Sequence, residues 1–141
     1  MDQNYKAWNN FVLLSDPLAT HSDPILNSAA IANSYMGGAN SGGIRDFLEW
    51  WKLGTQEVLD ALYAVGATVA ASQLGLVLER LGQPLLATSQ HQRVQELDDL
   101  WTDDLNEFDC LSEEADADLM QALERHVASY EAYYLSINDD P

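Results

Sequence analysis

Between Val94 and Phe108 the apolar residues Val94, Leu97, Trp101, Leu105 and Phe108 recur at steps of three, four, four and three, and most positions between them are carboxylates. That period is one face of an α-helix, and no strand could hold those five side chains on a single side. The acids continue past the stripe. Eleven lie between Glu96 and Asp118: Glu96, Asp98, Asp99, Asp103, Asp104, Glu107, Asp109, Glu113, Glu114, Asp116 and Asp118. Residues 1–93 carry eight acids and five bases, whereas residues 94–141 carry fifteen acids and one base, Arg125, so most of the formal charge of −17 sits in the last third. Such a block repels itself and costs folding free energy. Kept inside helical structure, it is suited to holding a basic partner.

The block belongs to a folded chain. Hydrophobic residues make up 47% of the sequence, well above the low-hydrophobicity class that stays disordered, and 141 residues suffice for one domain with a real core. The expected organisation is a single helical domain over 1–141, with a leading helix and linker in 1–22 and the core in 23–137. Six Lys and Arg scattered along the chain supply no phosphate-binding cluster, so neither direct nucleic-acid binding nor an anionic membrane surface is expected. Cys110 is the only cysteine, which rules out an internal disulfide and suits a reducing compartment. No basic-then-apolar leader opens the sequence and no apolar stretch approaches a membrane span, so a cytoplasmic location is expected.

Helix punctuation recurs along the chain. Asp23-Pro24 pairs a cap with a proline at the first helical position, opening a helix that Gly37-Gly38 would close, with Ile25, Ala29, Ile31, Ala32 and Tyr35 or Met36 inward. The loop 39–43 leads to a helix over Ile44–Leu53, stopped by Gly54. Thr55 would cap the next helix, with Val58, Leu59, Leu62, Tyr63 and Val65 inward as far as Gly66. A helix from Thr68 to Arg80 ends at Gly82 before Pro84, and residues 83–89 read as a linker. One helix is expected from near Ser89 to Glu107. Ser112 caps the last, whose stripe is Leu119, Leu123, Val127, Tyr130 and Tyr134, with Glu113, Glu114, Asp116 and Asp118 in the turns where acids suit the helix dipole. A short helix within 1–15 would pack Tyr5, Trp8, Phe11 and Val12. No stretch alternates at period two long enough for a strand. The fold class is all-α, a compact single-domain bundle of about six to seven helices.

Eleven acids over about 35 Å of helical rise give one charge per about 3 Å. One side of a DNA duplex shows about one per 3.4 Å. The charge density therefore matches a DNA backbone, although a turn near 109–115 would divide it between two helices. The plain alternative is a solvated face that keeps the chain soluble. A calcium site is disfavoured, because no Asp-x-Asp-x-Asp-Gly loop with a distal Glu accompanies Asp98-Asp99 or Asp116-Ala117-Asp118. His21, His91 and His126 form no ligand cluster, and His126 beside Arg125 reads as a surface or boundary residue. Cys110 sits among acids that weaken it as a nucleophile. Gly42-Gly43 is no phosphate cradle, since no Lys-Ser/Thr follows. With no nucleophile–base pair, metal set or cofactor motif, the chain is not expected to be an enzyme.

Asn40-Ser41-Gly42-Gly43-Ile44-Arg45-Asp46-Phe47-Leu48 resembles the Asn-Asn-Gly-Gly-Phe-x-Gln-Phe-Phe signature of a bacterial family that includes a DNA-mimic protein. Ala61-Leu62-Tyr63-Ala64-Val65-Gly66-Ala67 is similar to that family's Ala-Leu-x-x-Ile-Gly-Ala, Leu97-Asp98-Asp99-Leu100-Trp101 to its Leu-Asp-aromatic stretch, and Tyr130 to its terminal tyrosine. Ser41, Ile44 and Asp46 depart from the pattern. The resemblance implies an all-helical protein whose acidic surface occupies the DNA-binding surface of a transcription repressor, with dimers extending the charged face and the signature loop serving structure.

Three functions compete. The first is a DNA mimic that uses the eleven acids to sequester a basic DNA-binding protein, a repressor or nucleoid protein. The second is an immunity-type inhibitor of a basic toxin or nuclease, which would use the same electrostatics. The third is an acidic helical domain with no such role. All three imply a dense anionic face, so the melting temperature should rise between low salt and about 0.1 M NaCl, where repulsion is screened over about 10 Å. A melting temperature that stays flat or falls would contradict a self-repelling face.

Overall fold

A computed structural model of the chain describes residues 2–14, 23–51, 54–82 and 89–136. Eight α-helices and one 3-10 helix account for nearly all of them: α1 (Asp2–Leu14), α2 (Pro24–Gly42), α3 (Ile44–Trp50), α4 (Thr55–Ala64), α5 (Thr68–Arg80), α6 (Gln90–Leu100), the 3-10 helix (Asp103–Phe108), α7 (Glu113–Ser129) and α8 (Glu131–Ser136). There is no strand among the described residues, as expected for an all-α protein. The count exceeds six to seven because two expected helices are each broken in two.

α2 is the centre of the bundle and touches α1, α3, α4 and α7. Its sequence explains the place. From Pro24 to Gly42 it holds no charged residue, and a helix without a charged face is one the fold can surround. Asp23 caps it, its carboxylate accepting the Ile25 amide at 2.9 Å, with Pro24 at the first position. Leu26, Ala29, Ala32, Tyr35, Met36 and Ala39 are buried, while Ile25 faces outward. Around this axis α5 lies between α4 and α7, α6 packs on α3, and α1 pairs with α8 across α7.

Gly37-Gly38 does not close α2, which runs four residues further. The two glycines differ. A Cβ on Gly38 would stand 2.7 Å from Phe47 Cδ2 and 3.2 Å from Trp50 Cζ2, whereas one on Gly37 meets nothing within 4 Å. Gly38 therefore lets the aromatic helix α3 approach. The reversal happens at Gly43, whose φ of 101° and ψ of 166° lie in a region essentially reserved for glycine. The chain turns there straight into α3.

The long helix expected over 89–107 is instead α6 and the 3-10 helix, separated at Trp101 and Thr102, both extended. Local polar bonds hold the break: Trp101 Nε1 donates to the Asn106 side chain at 2.8 Å, and the Thr102 hydroxyl donates to Asp104. Asp, Asn and Thr compete with helical bonds in this way. The apolar stripe survives it, with Leu97 and Leu105 buried and Trp101 and Phe108 packed on the core. Likewise Tyr130 ends α7 and α8 follows directly. Val12 and Tyr63, expected inward, are exposed at 44% and 56%. α3 stops at Trp50, short of Leu53. The Tyr5 packing, the linkers at 15–22 and 83–88 and the end of the 23–137 core lie outside the described residues.

The contrast between adjacent glycines is testable by urea denaturation. Gly37→Ala should stabilise by about 0.5–1 kcal/mol, since alanine restricts the unfolded chain and meets open space. Gly38→Ala should destabilise by about 1–3 kcal/mol through overpacking against Phe47. Two shifts of the same sign would contradict the proposed approach of α3.

Candidate partner-binding face

α5 begins without a cap of its own, since its N-cap position is Ala67. The cap comes from α7: the Asp118 carboxylate accepts the Val69 amide at 3.0 Å. Further along α5, Gln73 bridges the turn before α7, donating to the Cys110 carbonyl at 2.8 Å and accepting the Ser112 amide at 3.2 Å. At the far end Arg80 lies 3.8 Å from Asp104 and 4.8 Å over the Phe108 ring. Residues 104–118 thus run antiparallel along α5, over about 16 Å from Val69 to Arg80.

The same segment holds α3. Gly43 offers no capping side chain, and Asp109 supplies what is missing. Its carbonyl accepts the Ile44 amide at 3.0 Å and its carboxylate accepts the Arg45 amide at 2.7 Å. A Cβ on Gly43 would stand 2.7 Å from that carbonyl, so this position admits Asp109 only as glycine. Arg45 reaches back to Asp98 at 2.6 Å and Glu49 at 3.0 Å, and stacks 5.5 Å over Trp101. At the other end of α3, side chains of α6 take the terminal carbonyls, Arg93 Nε donating to Leu48 and Gln90 to Glu49. Arg93 is fully buried. Burial pulls its basicity down, opposed by nearby Glu96.

The eleven expected site residues therefore divide. Five are tied into the fold: Asp109 and Asp118 cap helices, Asp98 and Asp104 pair with arginines, and Asp116 accepts the Asn40 side chain at 2.9 Å. Glu96 is half-buried beside Arg93. Asp99, Asp103, Glu107, Glu113 and Glu114 are exposed, and among the described residues they form no ion pair or side-chain hydrogen bond. Glu113 and Glu114 sit in the first turn of α7 behind Ser112, whose hydroxyl accepts the Ala115 amide at 3.1 Å, where the helix dipole favours them. The Thr102 hydroxyl holds Asp104 below the usual carboxylate range. The exposed, unpaired acids are thus fewer than the sequence count.

Sequence reasoning missed two buried polar residues. His126, read as a surface or boundary residue, is 7% exposed, with its Nε2 2.7 Å from the Tyr134 hydroxyl. Its spacing from Leu119 and Leu123, seven and three, already places it on the inward stripe. Arg93 likewise stands one turn before Leu97 on the buried face. Among the described residues no three His, Cys, Asp or Glu side chains are grouped to hold a metal, and no helix is long and apolar enough to cross a membrane. Comparison of the chain with protein-family models, curated proteins and solved structures gives no match.

Proposed function

We propose that the protein is an acidic DNA mimic, a binding protein rather than an enzyme, that occupies the DNA-binding surface of a basic partner such as a repressor or nucleoid protein. The observation that carries this reading is the set of five exposed, uncompensated carboxylates, Asp99, Asp103, Glu107, Glu113 and Glu114, presented by three consecutive elements, α6, the 3-10 helix and α7. One side of a duplex shows about five phosphates over 16 Å. The stretch along α5 shows three of these carboxylates, Glu107, Glu113 and Glu114, with the paired Asp104 beside them. The two are of the same order. The signature-like segment 40–48 supports the reading in its expected structural role, since it forms the turn that Asp109 closes.

A partner bound this way would be steered by the summed field, with fast and strongly salt-dependent association. The test starts from a bacterial lysate, with capture at low salt and release at high salt, followed by competition with labelled DNA for the captured protein. Neutralising Asp99→Asn, Asp103→Asn, Glu107→Gln, Glu113→Gln and Glu114→Gln together should weaken competition by about tenfold or more and flatten its salt dependence. Glu57→Gln with Asp60→Asn, on α4, should compete like the parent protein. If the five-site variant also competes like the parent, the face is only solvated and the mimic reading fails. Capture of a basic nuclease that the protein inhibits would favour the immunity-type alternative.

A further inference from the structure

Where α1, α7 and α8 meet, a single imidazole is enclosed by aromatics. His126 on α7 is surrounded by Phe11 of α1, Tyr130 at the α7–α8 junction and Tyr134 of α8, with ring centroids 5.7, 4.9 and 5.6 Å away. Its Nε2 is 2.7 Å from the Tyr134 hydroxyl. The same tyrosine ties the helices together, because the Asn10 side chain of α1 donates to its carbonyl at 2.7 Å. Phe11 and Tyr134 also meet edge to face at 5.5 Å. α1 and α8 are therefore held to α7, and to each other, around one imidazole.

We infer that this cluster is a proton-sensitive latch: protonation of His126 releases α1 and α8 from α7 while the remaining bundle stays folded. A neutral imidazole suits the site, since one of the two groups donates and the other accepts. An imidazolium can only donate, so it holds Tyr134 only as donor, and its second N–H and the Tyr134 hydroxyl proton must both find acceptors in a mostly aromatic surround. The groups facing His126 from the packed elements are the Phe11, Tyr130 and Tyr134 rings, and from the start of α2 the Asp23 carboxylate, which acts on it through space. Asp23 and the ring faces favour the cation. Burial opposes it and dominates, holding His126 below the ordinary histidine range. The sign follows directly. The open form binds a proton more readily than the closed form, so opening is favoured as pH falls below about 6.5, the unperturbed value.

The rest of the fold gives the latch its limits. α1 and α8 contact each other and α7, and α1 touches α2 only lightly, whereas α2 packs broadly on α3 and α4, and α5 on α4 and α7. Opening the latch would expose Phe11, Val127 and Tyr134 and leave the acidic face on the 3-10 helix and the start of α7 in place. The inference is thus independent of the proposed binding function.

Amide hydrogen exchange of the full chain, corrected for intrinsic rates, tests it. Protection in α1 and α8 should fall about tenfold between pH 7.5 and 5.5, with α2 and α5 unchanged. In the non-titrating variant His126→Gln that fall should disappear. The His126 ring resonances of the unmodified protein provide a second reading, with a midpoint below 6.5 expected to coincide with the loss of protection. Protection that is unchanged over this range, or that falls equally in the variant, would overturn the inference. So would a His126 that titrates with α1 and α8 still protected.

Discussion

The structure depends on a seven-residue helix clamped at both ends by distant chain. α3 is too short to persist by itself, since an isolated helix needs about 12–15 residues to be even marginal in water. It nevertheless carries Ile44, Phe47 and Leu48 into the core, with Trp51 buried just past its end. Asp109 takes its first two amides, and Arg93 and Gln90 take two of its last carbonyls. Each clamp comes from the acid-rich half of the chain or its threshold. Gly38 and Gly43 make room, one for the aromatic rings and one for the Asp109 carbonyl. With α3 fixed, Phe47 can stack on Trp51 and meet Tyr35 and Trp50 edge to face.

This changes how the acidic segment is understood. Eleven carboxylates in 23 residues would seem a pure cost, yet the costs and gains differ in kind. Two unit charges 7 Å apart in water repel by about 0.6 kcal/mol, and salt screens that further. A carboxylate that caps a helix contributes about 0.5–2 kcal/mol, and capping is the job of Asp109 and Asp118. The exposed pair Arg45–Asp98 adds little on its own. Its value is positional, since Arg45 joins α3, α6 and Trp101. The segment is folded because part of its charge is structural. The remainder, Asp99, Asp103, Glu107, Glu113 and Glu114, is left to face solvent or a partner. On the proposed reading, charges held on folded structure rather than on a tail would lower the ordering cost of binding.

Much of the fold was legible in the residues. The span Thr68–Arg80, the caps Asp23 and Ser112 and the inward stripe Leu119–Leu123–Val127 could all be read, because capping and period are local signals. What could not be read was tertiary. Gly37-Gly38 looks like a stop until Phe47 is known to press on it. The break at Trp101-Thr102 rests on side-chain bonds that compete with an unbroken amphipathic pattern. Asp109 and Asp118 look like any other acid in a run of eleven. Only their distance from the bare amides of α3 and α5 separates them from Asp99 or Asp103. His126 was hidden by its neighbour Arg125, which is exposed, although its own spacing pointed inward.

Residue-resolved hydrogen exchange at Ile44 and Arg45 shows whether Asp109 of the acidic segment holds the short aromatic helix. Both amides donate to Asp109. In the parent protein they should exchange as slowly as amides of the central helix α2, through global unfolding alone. In Asp109→Ala, which removes the side-chain acceptor but keeps the backbone carbonyl, Arg45 should exchange much faster while α2 remains protected. If Ile44 and Arg45 already exchange rapidly in the parent protein, or if Asp109→Ala leaves Arg45 unchanged, the clamp is not what orders α3.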